Sequence, residues 1–276
     1  MALTVNTNLS ALRAANALNS TQGNLSHTLA KISSGLRVVK AADDAAGSAV
    51  ASNLHTVARS GKQAMRNSND GISIIQTAES ATKEVINILD RMRELAVQSS
   101  SETLATDERD YIDDEFHQLS DEVQRIAKAT EFNDLALADG TQTALTVQVG
   151  VTSGTESQLT ITLGDLTVST LGIATDAVDL TTASGAQTAI DTIDSAIDEV
   201  NDVRAQFGAV QNRIDSAISN MTQYVESLSA AESQIMDADY ANETAEMTRL
   251  QVMQQAGVAA LAQARTINQS VISLLS

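Results

Sequence analysis

"IDSAIDEVNDVRAQFGAVQNRIDSAISNMTQYVESLSAAESQIMDA" (Ile193–Ala238) carries the strongest structural signal in this chain. Apolar or aromatic residues recur through it at alternating steps of three and four. A seven-residue repeat held this long is typical of a helix that packs lengthwise against other helices. We predict one helix over Thr188–Ala238, roughly 75 Å long at about 1.5 Å per residue. Its predicted buried seam includes Val200, Phe207, Ile214, Met221, Tyr224 and Leu228.

The N-terminal half supplies two partners for this helix. The same spacing of apolar residues runs from Ile75 to Ala96 and again from Ile112 to Ile126. Between them, Thr106 is followed by Asp107 and Glu108, which is typical of a helix start. The three helices together predict a mainly α fold, a long antiparallel bundle or coiled-coil rod.

The apolar period changes to two in the middle of the chain. "LTVQV" (Leu145–Val149) and "LTITL" (Leu159–Leu163) alternate apolar and polar residues, and Gly150–Gly154 supplies a turn. This pattern predicts a β-hairpin in a small β region of about residues 141–172, with a candidate third strand at Leu166. The following stretch, Ile173–Gln187, has weak helix signals and is predicted as a loop with a short helical turn.

Composition excludes several classes of protein. The chain has 276 residues, a net charge of −18, no Cys and no Pro. The acidic balance argues against nucleic-acid binding, which needs clustered basic residues. The lack of Cys excludes disulfides and thiolate metal sites. No run of about 18 apolar residues is present, so no membrane insertion is expected. The first twenty residues also lack the features of a secretory signal peptide.

Charge is distributed unevenly along the chain. All 35 acidic residues lie between Asp43 and Glu246, together with 11 basic ones, which gives this centre a net charge of −24. The two ends are apolar and weakly basic. Chance clustering at two solvated tails is the alternative, but tails this apolar would be an association hazard.

Both ends have helical spacing of apolar residues. Neither end is rich enough in core residues to fold alone, so we expect them to pair with each other and with copies from neighbouring molecules. These are the predicted polymerisation residues: Leu9, Leu12, Leu25, Leu29, Ile32, Leu36, Met247, Leu250, Leu261, Val271 and Leu275.

The sequence contains no catalytic motif that we recognise. It lacks the zinc-protease, dinucleotide and P-loop patterns. His117 follows Asp113 by four residues, which predicts a surface ion pair on a helix. We therefore expect no enzyme activity, no metal and no cofactor.

Several segments resemble bacterial flagellin. At the N-terminal side they are "MALTVNTNLSALRAANALN" (1–19), "SSGLRVVKAADDAAGSAVA" (Ser33–Ala51), "RNSNDGISIIQTAESA" (Arg66–Ala81) and "MRELAVQSS" (Met92–Ser100). Towards the C-terminus they are "FGAVQNRIDSAISN" (Phe207–Asn220) and the closing "VISLLS" (271–276). The resemblance covers nearly the whole chain in order. Large variable outer domains, common in the family, have no counterpart here.

The resemblance implies a structural subunit of the extracellular flagellar filament, a homopolymer for motility. Residues 1–42 plus 240–276 would form a terminal coiled-coil domain lining the filament core, and residues 43–239 the bundle with its hairpin. It further implies termini that are disordered in the free monomer, unfolded export through the flagellar type III channel and an export chaperone for the C-terminal segment. Assembly would occur under the flagellar cap, next to the junction proteins.

The resemblance also implies recognition by Toll-like receptors of animal hosts. The family positions fall on Arg91, Leu95 and Glu115 of this chain, with packing between subunits as the other role for Leu95. Two alternatives to flagellin remain open at this stage. A hook–filament junction protein shares these termini, and a soluble helical adaptor would need ends that fold alone.

Overall fold

The computed structural model describes residues 7–273, and the side chains of residues 7–266. Five helices contain most of these residues: α1 (Leu9–Ser34), α2 (Ala45–Ser99), α3 (Thr106–Ala129), α4 (Ala183–Met236) and α5 (Tyr240–Ser273). The predicted mainly α fold is confirmed. The helix predicted over Thr188–Ala238 begins five residues earlier and ends two residues earlier than expected.

The β structure consists of two small antiparallel hairpins among the described residues. β3 (Ala144–Gln148) pairs with β4 (Gln158–Thr162), with Leu145 opposite Ile161. A shorter pair, β1 (Glu131–Phe132) with β2 (Leu135–Ala136), was not predicted. Its turn residues Asn133 and Asp134 both have positive φ, 51° and 63°. An Asn-Asp pair at these angles is typical of a tight hairpin turn, so the signal was present in the sequence.

The third strand predicted at Leu166 does not form. Leu166 is buried and its N–H donates to the carbonyl of Ala138 at 2.9 Å. Next to this bond there is one isolated antiparallel β-bridge, between Asp139 and Asp165, and no strand. The segment therefore contributes core residues and an isolated bridge, because its backbone turns away after one bonded position.

The chain divides into two units by its internal contacts. The first contains residues up to Val57 together with those from Glu226, and the second is Ala58–Val225. These boundaries lie inside α2 and α4. The sequence prediction had placed them nearer the chain ends, after residue 42 and before residue 240.

The second unit contains two apolar cores. In one, α2, α3 and α4 enclose the loop that follows β4, with Leu89, Phe116 and Ile193 fully buried. In the other, the β3–β4 hairpin packs with Ile75 of α2 and with Phe207 and Ile214 of α4. The alternation of β4 explains this, because Leu159 and Ile161 face the core while Thr160 faces outward.

Most of the predicted seam of α4 lies inside the molecule. Val200, Phe207 and Ile214 are buried, and Met221 and Leu228 are half-buried. Tyr224 is a correction: it is 42% exposed, and its neighbour Val225 is buried instead. The step from Met221 to Val225 is four residues rather than three, so the buried face rotates by one position there.

Candidate functional site

The two terminal helices form an antiparallel pair within the first unit. Asn8 caps α1, its side-chain oxygen accepting from the N–H of Ala11, and its amide donates to the carbonyl of Ala264 at 2.8 Å. Further along α1, Gln22 bonds Gln254 and Lys31 bonds Glu243. The partners follow one another in opposite order on the two helices.

This seam buries little apolar surface. Among the described side chains of α1 and α5, Thr21, Thr28 and Leu250 are the buried ones. Two of these three are threonines. Leu25, Ile32, Leu36, Met247 and Leu261 are half-buried. The seam between α1 and α5 therefore contains one fully buried large apolar side chain among the described residues, Leu250.

A second set of apolar residues on these helices faces away from the seam. Its members are 44 to 60% exposed: Leu9, Leu12, Leu29, Val252, Met253 and Val258. Six exposed large apolar side chains on one helix pair favour a protein contact surface. Of the predicted polymerisation residues, Leu9, Leu12 and Leu29 belong to this set. Val271 and Leu275 lie outside the residues whose side chains are described.

A small backbone contact, which we call the clasp, joins Gly35–Arg37 to Ile235–Ala238. Gly35 ends α1 with a φ of 71°, a conformation that favours glycine. The N–H of Arg37 donates to the carbonyl of Met236 at 2.6 Å, and the N–H of Ala238 donates to that of Gly35 at 2.9 Å. The Arg37 guanidinium adds two bonds to the carbonyl of Ile235, so a cation satisfies the last turn of α4.

The turn after the clasp is held by Asp43. Its carboxylate accepts from the N–H groups of Lys40 and Val39 and contacts His27 Nε2 at 3.0 Å. The hydrogen bond from the Lys40 N–H has the largest effect on the pKa of Asp43 and lowers it. Partial desolvation acts in the opposite direction, but the bonds from Val39 and His27 add to the lowering, so the pKa lies below its usual value. The turn therefore packs back against α1.

The three positions implied for receptor recognition are not equivalent in the structure. Arg91 donates to Glu115 at 2.8 and 3.1 Å, and both side chains are about half exposed. The bonds to Glu115 and then to Glu94 raise the pKa of Arg91. Leu95 is a correction, because it is 1% exposed and packs in the core of the bundle. The surface at these positions therefore presents the ion pair and not Leu95.

No group of three or more potential metal ligands occurs among the described residues. His117 and Asp113 lie 3.5 Å apart, as the sequence predicted. Asp113 also accepts from the N–H of Leu180, so it anchors a loop as well. Within the described chain, no helix combines the length and apolar character needed to cross a membrane.

Sequence reasoning missed the polar contacts of the seam. Lys31 and Glu243 stand at the last turn of α1 and the first turn of α5, positions that favour these charges. The sequence alone could have indicated that each of these two charges stands at a favourable helix end. The ion pair between them could not be predicted from the sequence, because the two residues are 212 positions apart.

Two family models match the chain. The model described as the bacterial flagellin N-terminal helical region covers residues 5–143, and that of the C-terminal helical region covers residues 190–275. A flagellin of Halalkalibacterium halodurans is 45% identical over 98% of this chain and 99% of its own length. A flagellin of Bacillus subtilis is 38% identical over 98% of this chain and 99% of its own.

Among solved structures, the crystal structure of Bacillus cereus flagellin is similar with a TM-score of 0.50 and 33% identity. It covers 56% of this chain and 88% of that one. The alternative of a hook–filament junction protein has no support in these comparisons. The chain belongs to the bacterial flagellin family and is a structural subunit of the extracellular flagellar filament.

Proposed function

We propose that α1 and α5 drive polymerisation by burying their outward apolar residues against copies of the same chain. The observation that carries this proposal is the exposed set Leu9, Leu12, Leu29, Val252, Met253 and Val258 on a pair whose own seam is poorly apolar. Subunit contacts that repeat without closing generate a helical polymer, and burial in it removes this surface from water. The role of the chain is structural and not catalytic.

The test is substitution at the outward set. Leu12→Asp and Val258→Asp place a charge where burial is expected, so we expect no filaments by electron microscopy. Leu12→Met keeps an apolar side chain of similar volume and is the matched control, which should assemble. Circular dichroism of each soluble variant checks that the helices of Ala58–Val225 remain. Filaments from both Asp variants at unchanged protein concentration would contradict the proposal.

Removal of residues 247–276 tests the same role at the level of the segment. We expect the truncated chain to form no filaments while its bundle unfolds at an unchanged temperature. The second unit holds its own two cores, so it does not depend on α5 for burial. A truncated chain that still polymerises would refute the role of the terminal helices.

The proposed life of the subunit before assembly follows from the same surface. The chain leaves the cell unfolded through the flagellar type III channel, with an export chaperone covering the apolar C-terminal helix. It then refolds under the flagellar cap, beyond the junction proteins. Support comes from the absence of Cys and Pro, since neither cross-linking nor slow X-Pro isomerisation interferes with refolding.

Recognition by a Toll-like receptor of animal hosts is proposed for the surface around Arg91 and Glu115. The exposed ion pair supports this, because two N–H groups of Arg91 donate to one oxygen of Glu115 and so offer a charged contact on the surface. Arg91→Ala should lower receptor activation by the soluble chain, and Arg125→Ala, which breaks another exposed pair, is the control. Equal activation by both variants and the unaltered chain would contradict the proposal.

A further inference from the structure

Apolar packing specifies the alignment of α1 against α5 only weakly. The two helices meet through small or polar residues at many positions. Leu18 of α1 lies against Gly257 of α5, since a Cβ atom placed on Gly257 would be 3.3 Å from Leu18 Cδ1. A slip of seven residues along α5 would put Leu18 against Ala264, another small residue on the same face. At this position the slip exchanges one small residue for another, so the Leu18 contact alone does not fix the register.

Lys31 and Glu243 distinguish the observed alignment from a slipped one. Lys31 Nζ lies 3.3 Å from Glu243 Oε1, and the two side chains are only 21% and 17% exposed. The seven-residue slip would place Lys31 opposite Leu250 instead of Glu243. Each charge would then be partly desolvated without the other, which is unfavourable. A polar contact between paired helices is a known way to specify their register.

The other polar contacts of the pair agree with this alignment. The clasp joins the end of α1 to the end of α4 and to the short link that precedes α5, close to Lys31 and Glu243. The Gln22–Gln254 and Asn8–Ala264 bonds follow further along the pair. Gln22 is exposed and Asn8 bonds a backbone carbonyl, which any slipped residue would also offer. Lys31–Glu243 is thus the contact within the helices that depends most on residue identity.

We propose that the Lys31–Glu243 pair sets the register of α1 against α5 and so aligns the outward apolar residues for contact with other copies. This inference rests on the proposed role of these helices in polymerisation. In a slipped pair, Leu12 and Leu29 would move by one or two turns relative to Val258, and the composite apolar surface would no longer match its neighbours. Lys31 and Glu243 are positioning residues for assembly.

Disulfide trapping reads the register directly, because the natural chain has no Cys. A Cβ on Gly257 would be 3.9 Å from Leu18 Cβ, within the distance of about 3.5–4.5 Å that a disulfide needs. Leu18→Cys with Gly257→Cys therefore reports the observed register. Leu18→Cys with Gln254→Cys or with Leu261→Cys reports a shift of about one turn in either direction. Gel mobility separates bonds within one chain from bonds between chains.

Each cysteine pair is placed in four backgrounds: unaltered, Lys31→Glu, Glu243→Lys and both reversals together. In filaments of the unaltered chain we expect the Gly257→Cys pair to form most of the intrachain disulfide. Each single reversal should lower the in-register to off-register ratio about tenfold, which corresponds to about 1.4 kcal/mol, and should raise the critical concentration for assembly. The double reversal should restore the ratio, because the partners are again opposite.

The double reversal separates register from helix stability. It places both charges at unfavourable helix ends, so a purely local effect would make it worse than either single change. Glu122→Lys and Arg125→Glu, at an exposed pair within α3, are matched controls that should leave the in-register to off-register ratio unchanged. A double reversal no better than the single ones, or single ones equal to the unaltered chain, would overturn the proposal.

Failure of the proposed function gives a different result. If the unaltered chain forms no filaments, polymerisation by these helices is refuted irrespective of register. The disulfide yields with Leu18→Cys are then measured on the soluble chain. Equal yields at Gln254→Cys, Gly257→Cys and Leu261→Cys would overturn the register proposal. A dominant yield at Gly257→Cys that the single charge reversals abolish would support it.

Discussion

Glycines in long helices have opposite roles at two positions of this molecule. A Cβ on Gly61 of α2 would lie 2.6 Å from Val225 Cγ2 and 3.1 Å from Met221 Sδ, so this glycine permits close approach of α2 and α4. A Cβ on Gly208 of α4 would meet nothing within 4 Å. Gly208 therefore carries the helix penalty of glycine without a packing benefit inside the chain.

These two positions give opposite stability predictions for the same substitution. Gly61→Ala should destabilise the chain by about 1–3 kcal/mol, because the β-branched Val225 cannot move aside freely. Gly208→Ala should stabilise it by up to about 1 kcal/mol. Urea unfolding followed by circular dichroism measures both, and each is the control for the other. A change of the same sign in both variants would contradict the packing argument.

Asp165 makes part of the fold sensitive to acid. Burial acts to raise the pKa of its carboxyl, but bonds from the Thr170 hydroxyl at 2.6 Å and the Thr167 N–H at 2.9 Å outweigh it, so the pKa is lowered. A carboxyl with a lowered pKa in the folded state contributes stability above its unfolded pKa, near 3.9, and loses it as pH falls through the folded value.

We therefore expect the unfolding temperature to fall below about pH 4, and less steeply in Asp165→Asn than in the unaltered chain. Asp198→Asn, at an exposed position of α4, is the comparison variant and should keep the unaltered slope. Calorimetry between about pH 7 and pH 2.5 provides the measurement. Identical slopes for Asp165→Asn and the unaltered chain would show that this carboxylate has no such role.

At the scale of elements, the loop between β4 and α4 is held by α3. Ser120 Oγ donates to the carbonyl of Ile173 at 2.8 Å, Asp113 accepts from the N–H of Leu180, and Gln124 accepts from the N–H of Val168. α2 contributes a bond from Ser99 Oγ to the carbonyl of Leu180. The loop's own apolar residues are buried beneath these bonds: Leu166, Leu171, Ile173, Val178 and Leu180.

Ser120→Ala tests this attachment. It leaves the buried carbonyl of Ile173 without its hydroxyl donor, so we expect a loss of about 1–2 kcal/mol of unfolding free energy. Ser195→Ala on α4 is the matched control, because its exposed hydroxyl bonds its own helix and its removal should change stability by less than about 0.5 kcal/mol. Equal effects of the two changes would refute the attachment.

The same loop shows where prediction from sequence ends. The seam of α4 and the β3–β4 hairpin were predicted because their periods, three to four and two, are local and sustained. α3 begins at Thr106 as predicted, with Glu108 accepting from the N–H of Ala105. The loop has no period, and its burial depends on bonds from Ser120 and Asp113, which are more than 50 residues away.

The candidate assembly surface was predictable in a similar, partial way. Apolar residues at helical spacing identified both terminal helices, but spacing alone did not separate Leu25 and Ile32, at the seam, from Leu12 and Leu29, which face outward. All four lie on neighbouring faces of the same helix, so apolar spacing alone does not tell the inner face from the outer one. Which face meets α5 follows from a partner more than 200 residues away, so it required the structure.

At the scale of the whole molecule, charge opposes assembly. The unit Ala58–Val225 contains 27 acidic and 11 basic residues, whereas the rest of the chain is close to neutral. Packing such units side by side brings like charges close together. The repulsion between them reaches about 30 Å at 0.01 M salt but only about 10 Å at 0.1 M, because dissolved ions screen it. The proposed attraction between copies comes from apolar contacts of α1 and α5, which salt does not screen.

Assembly should therefore be favoured by moderate salt. Between about 10 and 100 mM NaCl we expect the critical concentration to fall by about tenfold, because repulsion weakens while apolar burial persists. Asp110→Asn, Asp114→Asn and Asp121→Asn together remove three exposed charges of α3 and should flatten this dependence. Sedimentation of filaments against total protein gives the critical concentration of each chain. A critical concentration that rises with salt would mean that attraction between charges, rather than apolar burial, holds the subunits together.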